Sequence, residues 1–248
     1  MNDPLTPDRV SPLFRSSFGQ KYRFKSSVDS TQNELHDNDP EGTIVVADQQ
    51  LKGRGRHGKT WMAPSGRALL MSIRLHLETS QPAMQIALVV GVLLAEIVER
   101  EINFSTSIKW PNDILVKDKK VAGILVEQRR NLVSLGIGIN VNQTKEELPT
   151  GTHIKPISLR IIDGKIHDRA KILATIAEEL EFNYRVWQEK GLNAFTTQIQ
   201  ERDALFGRRV RVGSLHGIAA GIAPNGSLVV DIEGKHEMVT SGEVHIEK

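Results

Sequence analysis

The 248-residue chain contains no cysteine, which excludes disulfides, thiolate catalysis and zinc–thiolate centres. It has almost no net charge: 32 basic residues oppose 30 acidic ones, leaving +2, so no global field attracts nucleic acid. Aromatic residues make up 5% of the chain. None is interleaved among the cations at 52–59, as stacking on a single-stranded nucleic acid would require. There is no long hydrophobic run. The longest, Ala83 to Val98, is short for a bilayer span and contains Gln85 and Glu96. The opening MNDPLTPDRVSPLF has neither a basic nor an apolar signal region. The eight histidines are scattered without H-E-x-x-H or paired spacing, so a structural metal site is not expected. Together these absences point to a cytoplasmic protein with no membrane and no nucleic-acid partner. What remains, 39% hydrophobic and 25% charged residues, is ordinary for a globular protein and enough for one moderate domain plus a small one.

The most unusual stretch is QLKGRGRHGKTW at 50–61. Gly53, Gly55 and Gly58 alternate with Arg54, Arg56 and Lys59, and Trp61 closes the run. Glycine lets backbone lie close against a ligand, and cations at this density suit a phosphate or another anion. The spacing matches neither a Walker P-loop nor a dinucleotide-binding turn, and a solvated basic loop is the competing reading.

Along the chain, residues 1–20, with three prolines, read as an extended or mobile lead-in. Thr43–Ala47 and Leu69–Leu77 read as strands, followed by a helix over Pro82–Arg100 capped by Ser80. Strands follow at 107–110, 114–116, 121–126 and 132–139, with a turn at Arg129-Arg130-Asn131. A second amphipathic helix covers 168–189 with Asp168 as its cap. From Arg209 to Ile246, short β-branched segments are broken by turns at 213–214, 224–226, 233–234 and 241–242, the pattern of a small barrel. The expected organisation is an N-terminal extension (1–21), a catalytic domain (22–202) and a C-terminal domain (203–248). The fold class is α+β: a mixed β-sheet covered by helices, with a small SH3-like β-barrel at the C-terminus.

Three further stretches carry chemistry. In Lys109-Trp110-Pro111-Asn112-Asp113 the proline interrupts a strand, and Asn112 and Asp113 fall at the break; a plain turn explains this equally well. Lys120 begins the apolar KVAGILVE, which contains Gly123, and GIGINVN places Gly136 and Gly138 in the next strand, ahead of Asn140. Two neighbouring glycine-notched strands leave a slot flat enough for a planar or bicyclic ligand. Asp29-Ser30-Thr31-Gln32 adds a hydroxyl cluster that can equally cap a helix over 32–36.

The order and spacing of DSTQ, Q-x-x-GRGRHGKTW, KWPND, KVAGILVE and GIGINVN resemble the catalytic domain of bacterial biotin–protein ligases, and the C-terminal segment resembles their small β domain. The resemblance covers roughly residues 22–247. It implies an ATP-dependent ligase that uses Mg²⁺ to convert biotin to biotinyl-5′-AMP and pyrophosphate. The biotinyl group then passes to one lysine of a biotin carboxyl carrier protein. It implies that biotin meets Ser30, Thr31, Gln32, Gln50, Gly53, Arg54, Gly55, Arg56, Lys120, Gly123, Gly136 and Gly138. ATP or the adenylate would meet Arg54, Arg56, Lys59, Trp61, Asn112, Lys120 and Asn140. Lys120 and Arg54 would stabilise the reacting phosphate, Trp61 would pack on the adenine, and Asp113 would hold Mg²⁺ or orient the acceptor lysine. His57 and Lys59 stand where some relatives have arginine. The chain leaves no room for the N-terminal DNA-binding domain of some relatives, so a repressor role is not expected. A homodimer through sheet edges is expected from the same resemblance. The competing readings are a lipoate–protein ligase, a nucleic-acid-binding module and a non-catalytic biotin-binding regulator.

Ordering the twelve residues Gln50–Trp61 costs ~12 kcal/mol or more at ~1–2 per residue. Three charge-assisted hydrogen bonds return roughly 5–9 kcal/mol. The loop is therefore expected to be mobile without ligand and to close over biotin or the adenylate.

Overall fold

A computed structural model of the chain describes residues 3–78 and 81–247. Seven strands, β1 (Tyr22–Val28), β2 (Ile44–Gln50), β3 (Leu69–His76), β4 (Ser107–Lys109), β5 (Asp113–Val116), β6 (Lys119–Arg129) and β7 (Leu132–Ile139), form one sheet. Their order is β1-β2-β3-β7-β6-β5-β4. Only β1 and β2 run parallel; every other neighbouring pair is antiparallel, so the sheet is mixed as expected. Lys117 and Asp118, both at positive φ, form the two-residue turn between β5 and β6. Arg130, at φ 56°, turns β6 into β7.

The helices are α1 (Pro7–Val10), α2 (Gln85–Ile102), α3 (Leu159–Asp163), α4 (Arg169–Lys190) and α5 (Thr196–Glu201). Every residue of α2 from Gln85 to Ala95 is buried, because the helix is apolar all round and packs against β4, β5, β6 and α4. It begins at Gln85 rather than Pro82, and Met84 at its N-cap offers no side-chain bond; the expected cap, Ser80, lies outside the described residues. It ends where Asn103 turns left-handed and its N–H bonds to Glu99 O. Asp168 caps α4 as expected, its Oδ1 accepting from Ala170 N at 3.0 Å. No helix among the described residues is long and apolar enough to cross a membrane.

The N-terminal segment is not the mobile lead-in its prolines suggested. Leu5, Val10 and Phe18 are buried in the main core. Arg169, fully buried, donates Nε and Nη2 to Asp3 Oδ1 (3.0 and 2.8 Å) and Nη1 to Asp48 Oδ1 (3.1 Å). A buried guanidinium needs partners on all its donors, and the N-terminal segment supplies a carboxylate to one side of it.

Beyond α5, strands β8 (Arg209–Val212), β9 (Leu215–Ile222), β10 (Leu228–Ile232), β11 (Lys235–Val239) and β12 (Val244–Ile246) form an antiparallel sheet ordered β11-β10-β9-β8-β12. Its turns carry Gly213, Gly226 and Gly234 at positive φ, at the positions the turn chemistry indicated. The small domain joins the main sheet through Ile108, whose N–H bonds Arg202 O at 2.6 Å and whose carbonyl accepts from Ala204 N at 3.0 Å. Two KWPND side chains extend the seam. Lys109 Nζ donates to Val244 O at 2.7 Å, and Trp110 Nε1 donates to Gly226 O at 2.9 Å.

Candidate functional site

One cavity of about 240 Å³ gathers nearly all the residues singled out by sequence. It opens between β6–β7, the 54–62 loop, residues 149–156 and the start of β12. Its floor comes from the glycine notches. Gly123 and Gly138 are direct cross-strand partners in the β6–β7 ladder. A Cβ on Gly138 would lie 2.6 Å from Trp61 Cε2, and one on Gly123 would lie 3.0 Å from Trp61 Cζ3. The indole therefore rests on the glycine pair, in space only glycine leaves open. Its Nε1 is buried and unpaired among the described residues, a state buried donors rarely keep.

Gly136 also lines the cavity, but with its notch occupied, and Gly53 lies outside it. The notch at Gly136 is filled from within the protein: a Cβ there would meet Gln32 Nε2 at 2.8 Å. That nitrogen donates to Leu125 O (3.1 Å) and Ser134 O (3.2 Å), while Gln32 Oε1 accepts from Arg54 Nη2 at 3.1 Å. Gln32 thus anchors the loop arginine to the sheet. Gly53 does not line the cavity. A Cβ there would lie 2.3 Å from Trp61 O, so this glycine is required by the close backbone pairing that carries Trp61 N–H to Gly53 O at 2.9 Å.

A polar wall stands beside the floor. Gln50 Oε1 accepts from Thr31 N (2.8 Å) and Thr31 Oγ1 (3.0 Å), and Thr31 Oγ1 lies 2.7 Å from Ser72 Oγ. Ser72, fully buried, was not anticipated; its only sequence signal is a hydroxyl inside the apolar run LLMSIRL. Ser30 precedes the 3₁₀ turn Thr31–Glu34 and makes no capping bond, so the capping alternative for this cluster is not realised. Ser30 and Thr31 are buried against the cavity instead.

Cations line the rim. Lys120 Nζ lies 2.6 Å from Asp113 Oδ1. The contact is an ion pair outside hydrogen-bond angles, and Asp113 Oδ1 has no other partner among the described residues. Lys120 also sits 5.4 Å from the centroid of the Trp61 ring. Burial lowers the pKa of Arg56, and the charge of Asp113 partly offsets it. Burial likewise lowers that of Lys109, against the opposing pull of Asp113 and Glu243. A desolvated cation gains most from an arriving anion. Arg54 pairs with Glu127 at 2.9 Å, and Lys59 reaches across the mouth to Glu243 of the small domain. Gly55 lines the same rim.

Asn112 and Asn140 line the cavity but direct their amides to the scaffold. Asn112 Nδ2 donates to Ile124 O at 2.7 Å, while Asn140 Oδ1 accepts from Gln143 Nε2 at 2.8 Å. Asn112 thereby ties the start of β5, beside Asp113, to β6, and Asn140 at the end of β7 also donates Nδ2 to Lys120 O at 3.4 Å. The arrangement combines an apolar, flat floor, a short polar wall and a cationic rim. It suits a ligand with a compact neutral ring system at one end and an anionic group at the other.

Comparison with known proteins accords with this geometry. The biotin/lipoate A/B protein ligase family matches residues 24–143, and the biotin protein ligase C-terminal domain matches residues 205–246. The bifunctional ligase/repressor BirA of Bacillus spizizenii is 32% identical over 242 residues, spanning 92% of this chain and 74% of that protein. The biotin–[acetyl-CoA-carboxylase] ligase of Mycobacterium tuberculosis is 31% identical over 218 residues, 83% of this chain and 79% of the relative. A solved biotin protein ligase from Aquifex aeolicus, in complex with biotin and ATP, superposes with a TM-score of 0.83 at 31% identity, covering 92% of this chain and 99% of that one. The chain belongs to the biotin protein ligase family and is an ATP-dependent ligase.

Proposed function

We propose that the enzyme activates biotin with ATP to biotinyl-5′-AMP and transfers the biotinyl group to a lysine of a biotin carboxyl carrier protein, acting in the cytoplasm with residues 22–202 as the catalytic unit and 203–248 closing it. The observation that carries this reading is the Gly123–Gly138 pair, a flat floor covered by the Trp61 indole in a cavity that Lys120, Arg56 and Arg54 also line. In the first step a biotin carboxylate oxygen attacks the α-phosphorus of ATP, and the bond to pyrophosphate breaks. Both reactants are anionic, so the barrier falls with every cation fixed at the reacting phosphate before reaction begins. Lys120, at the slot rim, is assigned that task, with Arg54 and Arg56 on the loop side of the cavity. In the second step the acceptor lysine's neutral amine attacks the mixed-anhydride carbonyl, and AMP leaves.

The polar wall of Ser30, Thr31 and Gln50 is assigned to biotin's ureido group, whose donors and acceptor must be paired once desolvated. Trp61, resting on the glycine pair, must shift to admit the bicyclic ring and would then separate it from the adenine. Asp113 presents one carboxylate, which fits Mg²⁺ carried in on the nucleotide phosphates and still largely hydrated. Such an ion would neutralise phosphate charge; the alternative role for the same carboxylate, paired to Lys120, is to orient the acceptor lysine.

The test is mass spectrometry of a carrier protein incubated with enzyme, ATP, Mg²⁺ and either biotin or lipoate. The reading requires a single biotinyl adduct on one lysine. A lipoyl adduct in preference, or no adduct with either acid, overturns it.

A further inference from the structure

Two histidines that lie 92 residues apart meet at the mouth of the cavity. His153 Nε2, on the segment after β7, and His245 Nδ1, in β12, are 3.1 Å apart, with ring centroids 4.5 Å apart and the rings near edge-to-face. Glu243 completes the group: one ring nitrogen from each histidine and one carboxylate oxygen all lie within 4.8 Å of one another. No spacing in the sequence signals this, because the fold, not a local motif, brings the segments together.

We propose that His153, His245 and Glu243 form a site for a borderline transition-metal cation, Zn²⁺ being the best match. The donor set is two imidazoles and a carboxylate, the ligand type of open zinc sites, and distinct from the all-oxygen environment that Mg²⁺ takes. With Zn–N bonds of about 2.0–2.1 Å, the edge of a tetrahedron is roughly 3.3–3.4 Å. The two ring nitrogens already stand close to that separation; the hydrogen bond between them must give way as the rings turn both lone pairs toward one point, and the Glu243 oxygen must move inward. Solvent supplies the fourth ligand, which the exposure of His153 permits.

The placement gives binding a structural consequence. Glu243 holds Lys59 of the Gly/Arg loop, while His153 belongs to the segment that forms the opposite lip of the same cavity. A cation drawing in Glu243 clamps that lip to β12 and releases Lys59. Metal occupancy would therefore exchange a loop-to-barrel tether for a lip-to-barrel one.

The test uses the untagged full chain, stripped with a chelator and titrated with Zn²⁺ by calorimetry, and with Co²⁺ while recording its visible ligand-field absorption. The expected result is one saturable site in the micromolar range, with a tetrahedral-type Co²⁺ spectrum. His153→Asn should weaken Zn²⁺ binding by about tenfold or more, and adding His245→Asn should abolish the Co²⁺ band. His153 is exposed on a loop, so circular dichroism of the single variant should match the wild type; Glu243→Gln provides an independent ligand deletion with the same expected loss. Absence of saturable binding below millimolar metal, or binding unchanged in the double histidine variant, overturns the assignment.

Discussion

Gly138→Ala separates a glycine kept for the ligand from one kept for the backbone. Gly138 lies in β7 with ordinary strand geometry, opposite Gly123. An alanine there fits the strand and should stabilise it by about 0.5–1 kcal/mol through the unfolded chain. The added methyl, however, enters the slot: it would stand 2.6 Å from Trp61 Cε2 and 2.8 Å from Cζ2. Carbon atoms in contact sit about 3.5–4.0 Å apart, so the indole, or any ring that replaces it, must retreat by roughly 1 Å. Overpacking of that size costs about 1–3 kcal/mol, which is a factor of about 5–150 in the dissociation constant. Isothermal titration with biotin and a thermal melt read the two effects separately. In the free protein the same methyl pushes the Trp61 indole off the pair, which offsets the strand's gain, so the expected outcome is a melting temperature lowered by at most a few degrees with clearly weaker biotin binding. Wild-type affinity in the variant would refute the placement of the ligand on the glycine pair. A large loss of stability would show that the Trp61 indole cannot move off the glycine pair.

Gln32→Ala should remove two hydrogen bonds to strand carbonyls, costing about 1–3 kcal/mol, and release Arg54; a kinetic double-mutant cycle with Arg54→Ala should show the two losses coupled, whereas additivity would mean that Gln32 does not position Arg54. His167 hydrogen-bonds Glu101 and Asp163, and the Glu101 bond chiefly raises its pKa above 6.5 despite burial. Protonation therefore favours the folded state: the stabilisation is complete below the unfolded pKa and fades as pH rises through the raised folded value. His167→Gln should accordingly lower the melting temperature more at about pH 6 than at about pH 9, and a loss independent of pH would contradict the linkage. The side chains of the Gly/Arg loop are held by the partly exposed Arg54–Glu127, Lys59–Glu243 and Lys52–Asp29 ion pairs and by the hydrogen bond from Arg54 to Gln32. Such pairs contribute about 0–1 kcal/mol each, so amide exchange at Gly55, Lys59 and Trp61, whose N–H groups bond only within the loop, should be fast in the free enzyme and slow markedly with biotin and ATP.

Periodicity made the two long helices, the antiparallel strands and the turn-punctuated small domain legible, because their burial patterns are local. β1 was not legible: YRFKSSV, at the sheet's edge, has an exposed Lys-Ser-Ser stretch and too few apolar positions to declare a strand. The docked N-terminal segment escaped for a different reason. What holds it is Arg169, a residue 166 positions away in sequence from Asp3. Within the site, the cations and the Gly123–Gly138 floor followed from motif spacing. The roles of Gly136 and Gly53 did not, since they depend on which distant atom fills each notch, Gln32 in one case and the Trp61 carbonyl in the other. Lys109 and Trp110 had no assigned role in the sequence; each spends a hydrogen bond on the small domain, a contact no local pattern encodes.

The central claim is that Lys120, at the rim of a biotin slot, stabilises adenylation. Its most direct measurement is exchange of labelled pyrophosphate into ATP, with biotin, with lipoate and without any acid, for the wild type and for Lys120→Ala. The account predicts exchange that requires biotin and falls by about 10²-fold or more in the variant, the loss that follows removal of a fixed transition-state charge. Exchange supported by lipoate instead of biotin, or undiminished in Lys120→Ala, would contradict it.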